Sequence, residues 1–187
     1  MTSRVILGVA GASGAALALA VAKQLSALEC DIDLVVSKAA QRTLKEECGE
    51  GAFERLCDLA TDAHDIANVG ASIASGSVPV QGMIVAPCSM RSLAAIAAGM
   101  DDNLLTRAAG VQLKERRRLV LMAREAPLTL AHLRNMTAVT EMGGIILPPV
   151  PAFYLKPETL ESVVDQIAAR ALNLLGFSAP EALTWGE

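Results

Sequence analysis

The sequence predicts an α/β fold: a Rossmann-like or flavodoxin-like open parallel sheet in three layers, with helices on both faces. Short apolar segments alternate with helical segments along the chain. The apolar segments are hydrophobic at nearly every position, as in strands that are buried on both faces. A length of 187 residues suits one domain with its own core. We therefore expect a single domain over residues 1–187, with a tail from about residue 177.

Two strands and two helices open the chain. Residues 5–9 are mostly β-branched and predict the first strand, and the Gly-Ala-Ser-Gly sequence at residues 11–14 predicts the turn after it. The Ala- and Leu-rich stretch that follows predicts a helix ending near Leu28. Residues 31–37 are again apolar and predict the second strand, with a helix from Lys38.

The middle of the chain is less regular. Residues 49–80 show little periodicity apart from a short predicted helix at residues 52–59, and they end in a Ser-Gly-Ser loop followed by proline. An apolar run at residues 82–87 predicts the third strand, and residues 89–98 predict the helix after it.

The last third repeats the alternation. Residues 107–116 and 128–142 predict helices, and the apolar residues 118–123 and 144–147 predict the fourth and fifth strands. The closing helix is predicted at residues 157–175, where apolar side chains recur at helical spacing.

Composition excludes several classes of protein. The net charge of −4, the pI near 5.3 and an aromatic content of 3% argue against nucleic acid as a partner. Four cysteines without a CxxC pair, and only two histidines, argue against a zinc site. The sequence has neither a signal peptide nor about 18 uninterrupted apolar residues, so we expect no membrane span and a cytoplasmic location.

Three short polar segments lie at the carboxyl ends of predicted strands. They are residues 11–14, Ser37, which closes the second strand, and residues 87–92 (Pro-Cys-Ser-Met-Arg-Ser). Ligands of open α/β sheets bind at the carboxyl ends of the strands, where these segments lie, and a glycine turn can offer backbone N–H groups to a phosphate. Neither a GxGxxG fingerprint nor a P-loop is present. The structural alternatives are a tight turn and helix caps, and Cys88 has no histidine near it in sequence to activate it.

A second group of polar residues indicates an anion site. Arg107, Lys114 and Arg124 surround an apolar strand, and Glu125 follows directly. Arginine and lysine together suit a multiply charged anion such as phosphate. Part of the basic run at residues 114–118 is expected to be a solvated face, with Lys114 and Arg124 placed inside.

The closing helix and the loop before it add two more candidates. Arg170 lies at the edge of the helix's apolar stripe, where it could snorkel, pair with another subunit or bind a ligand phosphate. A proline-rich loop at residues 148–151 precedes Tyr154, the only tyrosine.

Taken in order and spacing, several motifs resemble the UbiX-type flavin prenyltransferases, a family that includes the small B subunits of phenolic acid decarboxylase systems. The matching pieces are GASGA at 11–15, VSKAA at 36–40, SGS at 75–77, APCSM at 86–90, LKERR at 113–117, RE.PL at 124–128, HL.NM at 132–136, PP.PAFY at 148–154 and VD.I..R at 164–170. The match covers nearly the whole chain.

The resemblance implies a Rossmann-like flavoprotein that binds FMN and dimethylallyl phosphate without a metal. Such enzymes join the prenyl unit to N5 and C6 of reduced FMN, release phosphate, and supply the prenylated FMN to a UbiD-type decarboxylase. Ubiquinone biosynthesis and the degradation of aromatic acids both use this cofactor. The resemblance also implies a homo-oligomer, a dodecamer in this family.

The resemblance assigns residues to three groups. FMN is expected to contact Gly11, Ala12, Ser13, Ser37, Ser89, Met90, Arg91, Ser92 and Arg124. The prenyl phosphate is expected to contact Arg107, Lys114, Arg124, Glu125, Tyr154 and Arg170. The chemistry is expected to involve Ser13, Glu47 and Glu125. Glu46 precedes Glu47, so the two remain alternatives for one position.

Two departures and two alternatives accompany this interpretation. Val69 stands where some relatives have tryptophan, and Val78 stands where phenylalanine is frequent, so the prenyl pocket could differ. One alternative is an FMN-dependent decarboxylase of the cysteine-decarboxylase type, but its PASANT and PxMNxxMW motifs are missing. The other is a non-catalytic flavin-binding subunit, which would not need a second phosphate site.

Overall fold

A computed structural model describes residues 3–179 and contains one parallel sheet. Its strands are β1 (Arg4–Val9), β2 (Asp31–Val36), β3 (Asp62–His64), β4 (Gly82–Cys88), β5 (Arg118–Ala123) and β6 (Ile145–Ile146). Their order in the sheet is β3-β2-β1-β4-β5-β6, and all neighbours are parallel. This is the Rossmann strand order, with a topological switch point between β1 and β4.

Residues 3–179 contain seven α-helices, of which the first six lie between strands and the last follows β6. They are α1 (Ala15–Ala27), α2 (Lys38–Cys48), α3 (Ala52–Asp58), α4 (Met90–Ala97), α5 (Leu104–Lys114), α6 (Leu130–Glu141) and α7 (Leu160–Leu175). Short 3-10 turns lie at Ser72–Ala74 and Phe153–Leu155. None of the helices within residues 3–179 is long and apolar enough to cross a membrane.

The core has two halves, one on each face of the sheet. Val5 and Leu7 pack in a cluster with buried residues of α1, α2, α3 and α7. Ile6 points to the other face, into a cluster with α4, α5 and α6. Successive side chains of a strand point to opposite faces, so a strand apolar at every position is buried on both. The predicted three-layer α/β class is confirmed.

The sequence missed one strand. β3 lies at the edge of the sheet, within a region where only a short helix was predicted, and its residues are largely exposed. A hydrogen-bonded group helps fix it to β2: the buried Asp33 carboxylate accepts from Arg4 Nε at 2.5 Å and from Arg4 Nη2 at 2.7 Å, and lies 2.7 Å from His64 Nε2. Burial opposes ionisation of Asp33, but its hydrogen bonds to Arg4 and His64 outweigh this, and its pKa lies below its usual range.

Some helix boundaries differ from the prediction. α5 begins at Leu104, three residues earlier than predicted, because Asn103 caps it by accepting a hydrogen bond from Thr106 N at 3.1 Å. α7 begins three residues later than predicted, at Leu160, where Thr159 forms a capping box with Ser162. Residues 180–187, most of the predicted tail, lie outside the described residues.

Candidate functional site

The carboxyl ends of β1, β2 and β4 lie side by side and open into a cavity. The cavity has a volume of about 520 Å³, within the range of small-molecule sites. Its walls are the glycine turn after β1 and the first residues of α2, α4 and α5. They include Gly11, Ser37, Lys38, Ser89, Arg91 and Ser92. The cavity therefore brings together the three polar segments that the sequence placed at the ends of strands.

Both serines at the strand ends are helix caps. Ser37 Oγ accepts a hydrogen bond from Ala40 N at 3.1 Å, and Ser89 Oγ accepts one from Ser92 N at 3.3 Å. The N–H groups at the first positions of α2 and α4 have no partner within their helices, as at any helix start. Each serine can therefore cap its helix and also lie next to a bound ligand, because each cap orders a helix N-terminus at the cavity wall.

Glu47 holds the end of the glycine turn and the start of α1. The N–H groups of Gly14 and Ala15 both donate to Glu47 Oε2, at 2.8 Å each. These two groups are therefore not open to a ligand phosphate. Glu46 pairs with Arg42 at 2.7 Å on the exposed face of α2, so Glu47 is the glutamate at the turn.

Glu47 lies at the centre of a small charged group. Partial desolvation opposes its ionisation, but the N–H groups of Ala15 and Gly14, the Ser13 hydroxyl and the charge of Arg124 together lower its pKa. Arg124 directly follows β5, and its backbone N donates to Cys88 O at 3.2 Å, next to the switch point. The structure thus assembles Ser13, Glu47 and Arg124, three predicted site residues, within one chain.

Three other predicted site residues also lie near the carboxyl edge of the sheet. Glu125 is exposed, and its Oε1 accepts from Ala126 N at 3.1 Å. Tyr154 is 53% exposed in the turn after β6. Arg107 on α5 pairs with Asp101 at 2.8 Å.

Cys88 is not a nucleophile in this site. The thiol is completely buried, and burial raises its pKa to about 12. A thiol with that pKa stays protonated at neutral pH and reacts slowly.

Lys114 lies at the other end of the molecule from Arg124. α5 starts at the cavity and runs antiparallel to the strands for 11 residues, about 16 Å, so Lys114 is at the amino edge of the sheet. There its ammonium group pairs with Glu115, beside the Ser-Gly-Ser loop at Gly76. Within one chain, the structure does not bring Lys114 to Arg124, and neither side chain lies inside as predicted: both are exposed.

Arg170 is also distant from the cavity. α7 runs toward the amino edge, where Leu175 O accepts from Gln81 Nε2 at 3.1 Å. Arg170 lies within the last two turns of this helix and is exposed. The group predicted to hold a second phosphate is therefore divided between the two edges of the sheet in a single chain.

Two charged residues of the cavity wall, Lys38 and Asp102, were not among the predicted site residues. Lys38 directly follows the predicted site residue Ser37, and this adjacency could have indicated in the sequence that Lys38 lies at the cavity. Asp102, which pairs with Arg91, had no such signal because it lies in an irregular loop. Within residues 3–179 no cluster of three or more His, Cys, Asp or Glu side chains could hold a metal ion.

Comparisons with known proteins agree with this geometry. The flavoprotein family model matches residues 1–172. The flavin prenyltransferase UbiX of Neisseria meningitidis is 51% identical over 99% of this chain and 97% of its own length. UbiX of Escherichia coli K12 is 44% identical, over 96% of this chain and 95% of its own length.

Solved structures show the same relationship. A UbiX (PadA1) crystallised with FMN and dimethylallyl pyrophosphate has a TM-score of 0.97 and 43% identity, covering 100% of this chain and 99% of that one. A dodecameric FMN-dependent UbiX-like decarboxylase from E. coli O157:H7 has a TM-score of 0.94, also with 43% identity, covering 98% of this chain and 100% of that one. A PPC decarboxylase at 20% identity shares the fold alone, with a TM-score of 0.62.

The fold and its carboxyl-edge cavity define a doubly wound α/β protein of the flavoprotein class. The chain belongs to the UbiX flavin prenyltransferases within that class, which confirms the resemblance seen in the sequence.

Proposed function

We propose that this protein is a flavin prenyltransferase, a transferase that joins the dimethylallyl group of dimethylallyl phosphate to N5 and C6 of reduced FMN. The product is prenylated FMN, and phosphate leaves. The observation that carries this proposal is the group formed by Ser13, Glu47 and Arg124 at the glycine turn, whose first residue, Gly11, lines the 520 Å³ cavity. That group offers a cation that can stabilise a leaving phosphate and a carboxylate that can accept a proton.

The cavity suits FMN. Gly11 lies so close to α2 that a Cβ atom there would be 2.3 Å from Ala39 Cβ, so the turn is held against the helix. Ser37, Ser89 and Ser92 line the cavity together with the N-termini of α2 and α4, which suit an anionic group. In addition to these residues, we propose contacts from Gly11, Ala12, Ser13, Met90, Arg91 and Arg124. Reduced flavin, when bound, supplies the electron-rich N5 and C6 positions. The protein's role is therefore to position the two substrates and to screen the reacting atoms from water.

Ser13 and Glu47 can together transfer a proton. Glu47 is held ionised by four neighbouring groups, and one of them is the Ser13 hydroxyl. A proton taken up at Ser13 Oγ can therefore pass to the Glu47 carboxylate. The Arg124 guanidinium can stabilise the phosphate as its negative charge grows. We propose a supporting role for Glu125, which follows Arg124, in protonating the departing phosphate.

We propose that a second copy of the chain completes the prenyl-phosphate site. Lys114 and Arg170 lie toward the amino edge of their own chain, and the single chain does not bring them to Arg124. The surface also exposes large apolar side chains, including 61% of Leu130, 78% of Phe153 and 79% of Leu160, as expected of a subunit in a larger assembly. We therefore propose a homo-oligomer, a dodecamer like the solved E. coli relative, in which Lys114, Arg170, Tyr154 and Arg107 surround the substrate.

The partners and the location follow from the reaction. Prenylated FMN serves a UbiD-type decarboxylase, which we propose as the receiver of the product. All four cysteines are free thiols. Unpaired thiols are typical of the reducing cytoplasm, where we place the protein.

Incubation of the purified protein with reduced FMN and dimethylallyl phosphate tests the proposal. We expect mass spectrometry to find a flavin one prenyl unit heavier than FMN, with an equivalent of phosphate released. Unmodified FMN and unreleased phosphate would overturn it. A parallel reaction with dimethylallyl pyrophosphate, the compound named in the solved relative, establishes which leaving group the site uses.

A further inference from the structure

The charges on the cavity wall are not balanced. Lys38, Arg91 and Asp102 line the cavity. Arg91 Nη2 donates to Asp102, and this hydrogen bond lowers the pKa of Asp102, so the two charges neutralise each other at neutral pH. Lys38 takes part in no ion pair within residues 3–179. The wall therefore carries one uncompensated positive charge, at Lys38.

The position of Lys38 on its helix makes that charge unusual. It is the first residue of α2, and the first turn of α2 has no acidic residue. A cation at a helix N-terminus is repelled by the partial positive charge of the unpaired N–H groups. At α1 a carboxylate balances this partial positive charge, because Glu47 accepts hydrogen bonds from the N–H groups of Gly14 and Ala15. At α2 the described residues provide no such carboxylate, so an external anion would relieve the repulsion.

We propose that Lys38 binds the 5′-phosphate of FMN and is the residue that makes the site prefer FMN to riboflavin. This inference rests on the proposed function. Glu47 occupies the N–H groups of Gly14 and Ala15 at the start of α1, whereas the N-termini of α2 and α4 lie at the cavity wall and can donate to a phosphate there. The Lys38 ammonium adds the full positive charge that Arg91, paired with Asp102, does not supply.

Comparison of two flavins tests the assignment. The affinities of Lys38→Met for FMN and for riboflavin are measured by quenching of flavin fluorescence. We expect affinity for FMN to fall about tenfold, the usual worth of a charge-assisted hydrogen bond, while affinity for riboflavin stays unchanged. Lys38→Arg should recover most of the FMN affinity. Lys45→Met removes the same charge farther along α2 and is the matched control.

The outcomes separate this inference from the proposed function. An equal loss for both flavins, or no loss for FMN, would overturn the role of Lys38 even if the wild-type protein makes prenylated FMN. A wild-type protein that binds FMN but prenylates nothing would overturn the transferase activity alone, and the two-flavin comparison would still decide the role of Lys38.

Discussion

Both edges of the sheet carry charged side chains, but it is at the carboxyl edge that predicted site residues from distant parts of the sequence come together within one chain. At the carboxyl edge, residues from three strand ends and α2 converge: Glu47 binds the glycine turn, and Arg124 contributes to lowering its pKa. At the amino edge, Lys114 pairs with its sequence neighbour Glu115 against the Ser-Gly-Ser loop. The first group is assembled within one chain, whereas the amino-edge group is not brought to it within that chain.

This difference follows from topology. Parallel strands bring their following loops to one edge, so residues far apart in sequence meet there without help from another molecule. A helix that returns from this edge carries its last residues to the opposite one. Lys114, at the end of such a helix, can serve a carboxyl-edge site only in another subunit. Substitutions at the two edges of the sheet test this division.

Glu47→Gln should cause the largest loss. It removes the carboxylate that accepts from Gly14 and Ala15, and with it the proton acceptor for Ser13. We expect the rate of prenylated FMN formation to fall at least about 100-fold, as for other general acid–base residues, with FMN affinity changed little. The neighbouring Glu46→Gln is the matched control and should retain wild-type rates, because Glu46 pairs with Arg42 on the surface. Equal loss in both variants would contradict the assignment.

Lys114→Ala should cause the next largest loss. If Lys114 reaches the substrate phosphate in another subunit, kcat/KM for dimethylallyl phosphate should fall about 10- to 100-fold while the Kd for FMN is unchanged. Arg116→Ala, an exposed change in the same basic run, is the control. Loss of FMN affinity together with turnover would mean that Lys114 supports the flavin or the fold instead.

Mixing two inactive variants sharpens the same comparison. Assemblies formed from Lys114→Ala and Arg124→Ala subunits contain some sites with both residues intact only if the two come from different chains. Activity should therefore reappear after the variants are dissociated and reassembled together. Mixed assemblies that stay inactive while each variant still oligomerises would place both residues in one chain's site.

Asp33→Asn should affect both edges together, because Asp33 connects β1, β2 and β3. Its folded-state pKa is lowered, so its stabilising effect is fully present above the unfolded value near 3.9 and is lost as the pH falls through the lower folded value. We expect the variant to lower the free energy of unfolding by about 1–2 kcal/mol at pH 7, after allowance for the exposure of Arg4.

Chemical denaturation at several pH values checks the effect of Asp33. The gap between wild type and variant should narrow below about pH 4, and Asp31→Asn in the same strand should cost less at every pH. A gap that does not depend on pH would show that packing around residue 33, and not its charge, stabilises the strands.

Gly76→Ala should have the smallest effect, limited to the amino edge. A Cβ atom there would lie 2.1 Å from Glu115 Oε1 and 2.7 Å from Lys114 Nζ, so the pair must shift. Both atoms end flexible side chains, and we expect KM for dimethylallyl phosphate to rise about threefold with little change in Tm. Gly70→Ala, with no contact closer than 3.6 Å, is the control. A change in FMN affinity would contradict the separation of the two edges.

Much of the fold was predictable from the sequence because the strands are apolar on both faces. β1, β2, β4 and β5 agree with the predicted strands to within a residue at each end. β3 was not predicted, since three largely exposed residues carry no periodic signal and their pairing depends on Asp33 and Arg4, more than 25 residues away in sequence. The polar residues at the strand ends were predictable because each comes directly after an apolar strand that is easy to recognise in the sequence.

The sequence by itself determined the class of fold, the family and the identity of the polar residues, because each of these is carried by local pattern and motif order. The tertiary structure alone decided how those residues are used. It directed the N–H groups of Gly14 and Ala15 to Glu47, left Lys38 as the unpaired cation of the cavity wall within the described residues, and placed Lys114 at the far edge. Such assignments depend on the direction in which each helix returns across the sheet and on contacts between distant segments.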